Sequence, residues 1–124
     1  MAKLDSWTNL KGSMTALVTP FRDGEVDLAC LSRLVERQIE GGTDWLVPLG
    51  TTGESPVLSE AERELVLEGV LATVNKRRPV MAGTGSNCTR STIEHSRREW
   101  SGALSLRFSR SRYPSSHRCR SVCL

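Results

Sequence analysis

The sequence predicts an α/β protein, with parallel strands side by side and helices packed outside them. Three observations carry this. Short apolar runs at 14–18, 45–49 and 79–82 begin 31 and 34 residues apart. A helical segment follows each run. The order strand, helix, strand, helix, strand, helix then requires crossover connections, whose right-handedness yields a parallel sheet.

The first strand is Met14–Val18 (MTALV), closed by Thr19-Pro20. An Asp23-Gly24 turn follows, and Asp27 is a good helix N-cap. Leu28, Leu31, Val35 and Ile39 then make an apolar stripe, with Arg33, Glu36, Arg37 and Glu40 on the other face. Gly41-Gly42 ends that helix. The second strand is Trp45–Leu49 (WLVPL), opening into GTTGES. Ser59 and Glu62 have the spacing of a capping box. Val66, Leu67, Val70, Leu71 and Val74 line the helix behind it, and KRRP closes it. The third strand is Pro79–Ala82, opening into GTGSN. Thr89 or Ser91 is expected to cap a third helix, whose apolar face is thin, chiefly Ile93 and Trp100. Strands of a parallel sheet are covered on both faces, which suits these near-continuous apolar runs.

Chemistry in such folds sits beyond the carboxyl ends of the strands. GTTGES and GTGSN both lie there. GTTGES offers backbone N–H groups and two hydroxyls, Thr51 and Thr52, between glycines that let a ligand approach closely. Such a concavity suits phosphate or carboxylate. It equally suits a loop leading into a helix, with threonines satisfying local backbone groups. On the residues alone the two readings stand level. GTGSN is not a dinucleotide fingerprint, because Cys88 stands at the third glycine position. The Gly-Lys-Ser/Thr of a P-loop is missing. Glu54 reads as a structural loop carboxylate and His95 as a solvated surface residue.

The 124 residues carry a net charge of +3, but the balance is uneven. Residues 1–100 hold 12 Lys/Arg against 14 Asp/Glu, whereas 101–124 hold five Arg and no acid. A nucleic-acid role for the whole chain is therefore unsupported. Cys30, Cys88, Cys119 and Cys123 form no secreted disulfide framework. No apolar run approaches the ~18 residues of a membrane helix, and the first residues lack a signal-peptide core. Together these predict a cytoplasmic protein.

From Ser101 the strand-helix rhythm stops. The tail has seven Ser, five Arg and two Cys. An Arg/Ser-rich segment could bind RNA, and His117, Cys119 and Cys123 could ligate a metal, though without a recognised spacing. The reading that fits best is a segment of no evolved function, disordered or translated out of frame. The expected organisation is residues 1–100 as the folded part and 101–124 as an aberrant tail.

GSMTALVTPF at 12–21, GTTGES at 50–55 and AGTGSN at 82–87, in that order at successive strand ends, resemble the dihydrodipicolinate synthase (4-hydroxy-tetrahydrodipicolinate synthase) family. This family sits among the pyruvate-dependent aldolases with N-acetylneuraminate lyase, the alternative reading. The resemblance covers roughly 12–99. It implies the first three β/α units of a (β/α)8 TIM barrel, truncated. It also implies condensation of pyruvate with aspartate semialdehyde through a lysine Schiff base, in lysine and diaminopimelate biosynthesis, within a homo-oligomer. Pyruvate is the implied partner, and no metal or organic cofactor is implied. By the resemblance Thr51 belongs to a catalytic hydroxyl relay with two tyrosines, and Thr52 binds the pyruvate carboxylate.

The sequence also departs from the family. Its only lysines, Lys3, Lys11 and Lys76, precede strand one or strand three. None is expected at the carboxyl ends of the strands, so the chain is expected to be inactive. Tyr113, the one tyrosine, has the neighbours SRYPSS, which match no family motif. Asn87 and Ser55 fit the family's lysine-inhibition site but Glu60 and Ser91 do not, so lysine feedback is not expected. A noncatalytic small-acid binding module, docking on an intact barrel subunit, is the second functional class. The open parallel edges of such a piece predict a marginal, aggregating or largely molten chain.

Overall fold

The computed structural model describes residues 11–100 and the strand Arg120–Val122. Strand β1 (Met14–Ala16) leads to a small antiparallel hairpin, β2 (Phe21–Arg22) and β3 (Glu25–Val26), and then to helix α1 (Leu28–Glu40). Strand β4 (Trp45–Val47) runs into two 3₁₀ turns, Thr51–Gly53 and Ser55–Val57, and then helix α2 (Glu60–Val74). Strand β5 (Met81–Gly83) precedes helix α3 (Thr89–Trp100), and β6 (Arg120–Val122) comes last.

The expected parallel sheet is present. β1 pairs with β4 in parallel, Met14 opposite Trp45 and Ala16 opposite Val47. The Leu17 N–H continues this ladder to the Val47 carbonyl at 3.0 Å. β4 and β5 are joined by a parallel bridge between Leu46 and Val80. The Leu46 N–H reaches Pro79 O at 3.2 Å, and the Gly83 N–H reaches Pro48 O at 2.9 Å. No strand closes the sheet into a barrel among the described residues.

Arg120–Val122 pairs in parallel with Met81–Gly83. This differs from the expectation that the strand pattern ends before the tail. Ladder bonds are made by backbone groups, so an extended segment can pair with an open edge whatever its side chains. The rest of the tail, with His117, Cys119, Cys123 and Tyr113, lies outside the described residues.

The core follows from strand alternation. Leu17 turns toward the helices and is buried, and Thr19, two residues on, is buried as well. Leu17, Leu46, Val80 and Ala82 pack against Leu31 and Val35 of α1 and Val66, Leu67, Val70 and Val74 of α2. On the opposite face of β1, Met14 is 41% and Val18 48% exposed. The two helices approach closely where α2 carries Gly69: a Cβ there would stand 3.1 Å from Leu28 Cδ2. At the far end of α2, Arg77 makes a two-pronged ion pair with Glu36 of α1, at 2.6 and 2.9 Å.

Two of the three predicted helix starts are present. Asp27 Oδ1 accepts from the Cys30 N–H at 2.8 Å. Ser59 and Glu62 form a complete capping box. The Ser59 N–H and Oγ both donate to Glu62 Oε2, at 2.7 and 2.8 Å. These bonds hold the Glu62 carboxyl below its ordinary range. A carboxyl lowered by folding stabilises the fold above the ordinary carboxylate range, near pH 4, and that stability is lost as pH falls through the lowered value. Ser59→Ala is expected to cost about 1 kcal/mol in a urea titration at neutral pH. It should also flatten the acid side of the stability profile.

α3 starts differently from expectation. Thr89 lies inside the helix, and the start is organised by Ser86 and Thr92 instead. The Ser86 N–H donates to Thr92 Oγ1 at 3.0 Å, and the Cys88 N–H donates to Ser86 Oγ at 3.1 Å. The Asp23-Gly24 turn was legible, but the hairpin it closes was not. Asp23 and Gly24 take φ of 52° and 85°, the pair of left-handed residues that a tight hairpin turn favours.

Candidate functional site

The carboxyl end of β4 carries a tightly folded turn. Pro48 and Leu49 are buried, and Leu49 takes φ 61°. That conformation is uncommon for a leucine and needs packing to hold it. The chain then makes the 3₁₀ turn Thr51–Gly53: the Gly53 N–H donates to Gly50 O at 3.1 Å, and the Glu54 N–H to Thr51 O at 3.0 Å. Glu54 takes φ 56° and starts the second turn.

The two glycines of GTTGES do different jobs. A Cβ on Gly50 would meet nothing within 4 Å, so this position leaves open space beside the threonines. A Cβ on Gly53 would stand 3.1 Å from Leu17 O and 3.3 Å from Thr19 Oγ1. Gly53 is there because the turn packs on β1. Thr19 completes that contact: its hydroxyl, buried, donates to Gly53 O at 2.7 Å.

Thr51 and Thr52 are both exposed. Neither hydroxyl hydrogen-bonds a protein group among the described residues. The reading in which the threonine side chains satisfy local backbone therefore does not hold; Thr19 does that work. What remains is a pinned turn that presents two adjacent hydroxyls to solvent.

GTGSN lies against this turn. A Cβ on Gly83 would be 2.3 Å from Leu49 O and 2.9 Å from Gly50 N, so the ends of β4 and β5 touch backbone to backbone. Arg63 of α2, itself buried, donates from Nη2 to Gly83 O at 3.0 Å. Thr84 is fully buried and its Oγ1 accepts from Ser96 Oγ at 3.0 Å. Asn87 and Cys88 are exposed at the rim. The Cys88 thiol is drawn below its ordinary range by the Ser91 amide and hydroxyl and the Arg90 amide.

His95 is not the solvated residue expected. Its side chain is only 10% exposed, and Nε2 lies 2.7 Å from Glu60 Oε1, so it ties α3 to the start of α2. Glu60 also bonds Arg98 at 3.2 Å. The two lysines among the described residues, Lys11 and Lys76, lie toward the amino ends of the strands. The Lys11 carbonyl accepts from Trp45 Nε1 at 3.2 Å, at the amino end of β4. Lys76 follows α2 and precedes β5, and Lys3 lies outside the described residues. Among the described residues no cluster of three or more His, Cys, Asp or Glu could hold a metal ion, and no helix is long and apolar enough to cross a membrane.

Sequence reasoning missed Thr19 and Arg63. Thr19 stood in a quoted motif, TALVTPF, but its partner is 34 residues away. Arg63 carries no local signal, since its acceptor, Gly83 O, is 20 residues away.

Residues 9–103 match the model of the dihydrodipicolinate synthetase family. The 4-hydroxy-tetrahydrodipicolinate synthase of Geotalea daltonii is 60% identical over 84 residues, covering 68% of this chain and 29% of that protein. The one from Pelobacter propionicus is 57% identical over 88 residues, covering 71% and 30%. Among solved structures, a monomeric dihydrodipicolinate synthase variant superposes with a TM-score of 0.74 at 40% identity, over 82% of this chain and 34% of that one. The Thermotoga maritima enzyme superposes with a TM-score of 0.70 at 42% identity, over 74% and 31%. The chain thus spans about a third or less of the length of these relatives, and its strand-helix units correspond to the first part of their TIM barrel.

Proposed function

The chain belongs to the dihydrodipicolinate synthetase family, and we propose that its Thr51–Thr52 turn is the carboxylate seat of a pyruvate site. The observation that carries this reading is the pair of solvent-facing hydroxyls on a turn closed by the Gly53 and Glu54 N–H bonds and held by Thr19. A carboxylate needs donors that are oriented before it arrives, because hydrogen bonds to a charged acceptor are the strong ones. In this reading Thr52 donates to the pyruvate carboxylate. Thr51 beside it passes a proton at its Oγ1. The open space at Gly50 admits the ligand.

The family reaction is carbon–carbon bond formation between pyruvate and aspartate semialdehyde. It starts when a lysine amine adds to the pyruvate ketone and water leaves. Lys11 precedes β1 and Lys76 precedes β5, at the amino ends of the strands, and the sequence order puts Lys3 before β1 as well. The 124 residues therefore supply the anion seat and relay hydroxyl but not the imine, and this chain binds pyruvate without turning it over. Catalysis would require the lysine from another part of a barrel, whether in a longer chain or in a partner subunit.

Two measurements test this. Calorimetry should detect pyruvate binding to the chain, with Thr52→Val weakening it at least about tenfold, the value of one charge-assisted hydrogen bond. No binding to the unaltered chain, or equal binding by the variant, would refute the seat. Treatment with pyruvate and borohydride should leave the mass unchanged; a stoichiometric adduct would show that one of the three lysines forms the imine after all.

A further inference from the structure

We infer that Arg63 is the positioning residue for the Thr51–Thr52 turn, acting through Gly83; this deepens the reading of that turn as a carboxylate seat and rests on it. The chain of contacts is short. Arg63 Nη2 donates to Gly83 O at 3.0 Å. The Gly83 N–H is already committed to Pro48 O at 2.9 Å. Its α-carbon lies against the Leu49–Gly50 peptide so closely that a methyl group would reach to 2.3 Å from Leu49 O. Any movement of Gly83 is therefore transmitted to Leu49, the residue from which the turn departs.

Leu49 needs such a restraint. At φ 61° it occupies a conformation that an L-residue leaves when neighbouring contacts loosen. Leu49 is 2% exposed and Arg63 5%, so water cannot substitute for either. A buried carbonyl at the end of β5 requires a donor, and a buried guanidinium requires acceptors. Placing the donor on α2, the helix that follows the turn, ties three elements to one point. Thr19 holds the other side of the turn through Gly53 O, so the turn is clamped from β1 and from β5.

The test uses the full chain with Arg63→Met, which keeps the side chain's bulk and removes its donors, and Arg63→Lys, which restores one donor. Hydrogen exchange reads the Gly53 and Glu54 amides, which close the turn, against the Leu17 amide, which belongs to the β1–β4 ladder. In Arg63→Met the two turn amides should exchange at least about tenfold faster while Leu17 is unchanged, and pyruvate should bind more weakly. The thermal midpoint should fall, since the buried Gly83 carbonyl loses its donor, and the Leu17 amide separates that general loss from loosening at the turn. Arg63→Lys should restore slow exchange. Unchanged Gly53 and Glu54 exchange in Arg63→Met would overturn the inference. So would equal acceleration at Leu17, which marks a general structural role, or failure of Arg63→Met to fold with exchange at the turn unprotected in Arg63→Lys. If the unaltered chain binds no pyruvate, the carboxylate seat falls, while the exchange comparison still decides the role of Arg63.

Discussion

Gly83→Ala is expected to displace the Thr51–Thr52 turn and abolish pyruvate binding. The added methyl would lie 2.3 Å from Leu49 O, 2.7 Å from Leu49 C and 2.9 Å from Gly50 N. All three are backbone atoms, so no side chain can swing away. The ends of β4 and β5 must separate, and the Gly83 N–H to Pro48 O bond must stretch with them. Overpacking of a well-filled site costs about 1–3 kcal/mol, a large share of a domain's usual ~5–15 kcal/mol. Gly50→Ala is the control. Its Cβ meets nothing within 4 Å and its φ is −79°, so a change within ~0.5 kcal/mol is expected in urea titrations. Equal tolerance of both substitutions would mean that the β4–β5 contact does not shape the turn.

Leu46→Ala should have the largest effect on stability. Leu46 is fully buried on the strand between β1 and β5, where it packs with residues of α1 and α2. Truncation at such a site typically costs about 2–5 kcal/mol. Small domains bury a smaller fraction of their surface, and here one face of β1 stays open at Met14 and Val18. The remaining margin should not cover the loss. Circular dichroism on heating should show no cooperative transition for Leu46→Ala. A transition within a few degrees of that of the unaltered chain would show that the core is not organised around this strand.

The fold was largely legible because its signals are local. The Leu28-Leu31-Val35-Ile39 stripe marks one helix face whatever the chain does elsewhere. Asp27 and the Ser59–Glu62 pair cap helices by bonds that span three residues. The expected strands overlap the observed ones, although β1 and β5 are shorter or shifted by a residue or two. The hairpin Phe21–Val26 was missed because two-residue strands have no period to detect. The start of α3 was misplaced because Ser86, Thr92 and Cys88 share their hydrogen bonds across six residues.

The site divides the same way. Composition and motif order picked out Thr51 and Thr52, and sequence alone determined that two hydroxyls sit at the carboxyl end of a parallel strand, between glycines, in a loop that itself holds no lysine. It could not choose between an anion seat and a loop that satisfies itself. The tertiary structure removes the second of these, by assigning the satisfying role to Thr19, 34 residues from Gly53. It also separated the two glycines, one packed on β1 and one open. It turned Arg63 inward, onto a carbonyl 20 residues away, and His95 onto Glu60, 35 residues away. The reason is physical. Capping and amphipathic periodicity are set within a few residues. Which hydroxyls remain free depends on buried contacts between strands, and those exist only once the sheet has brought distant residues together.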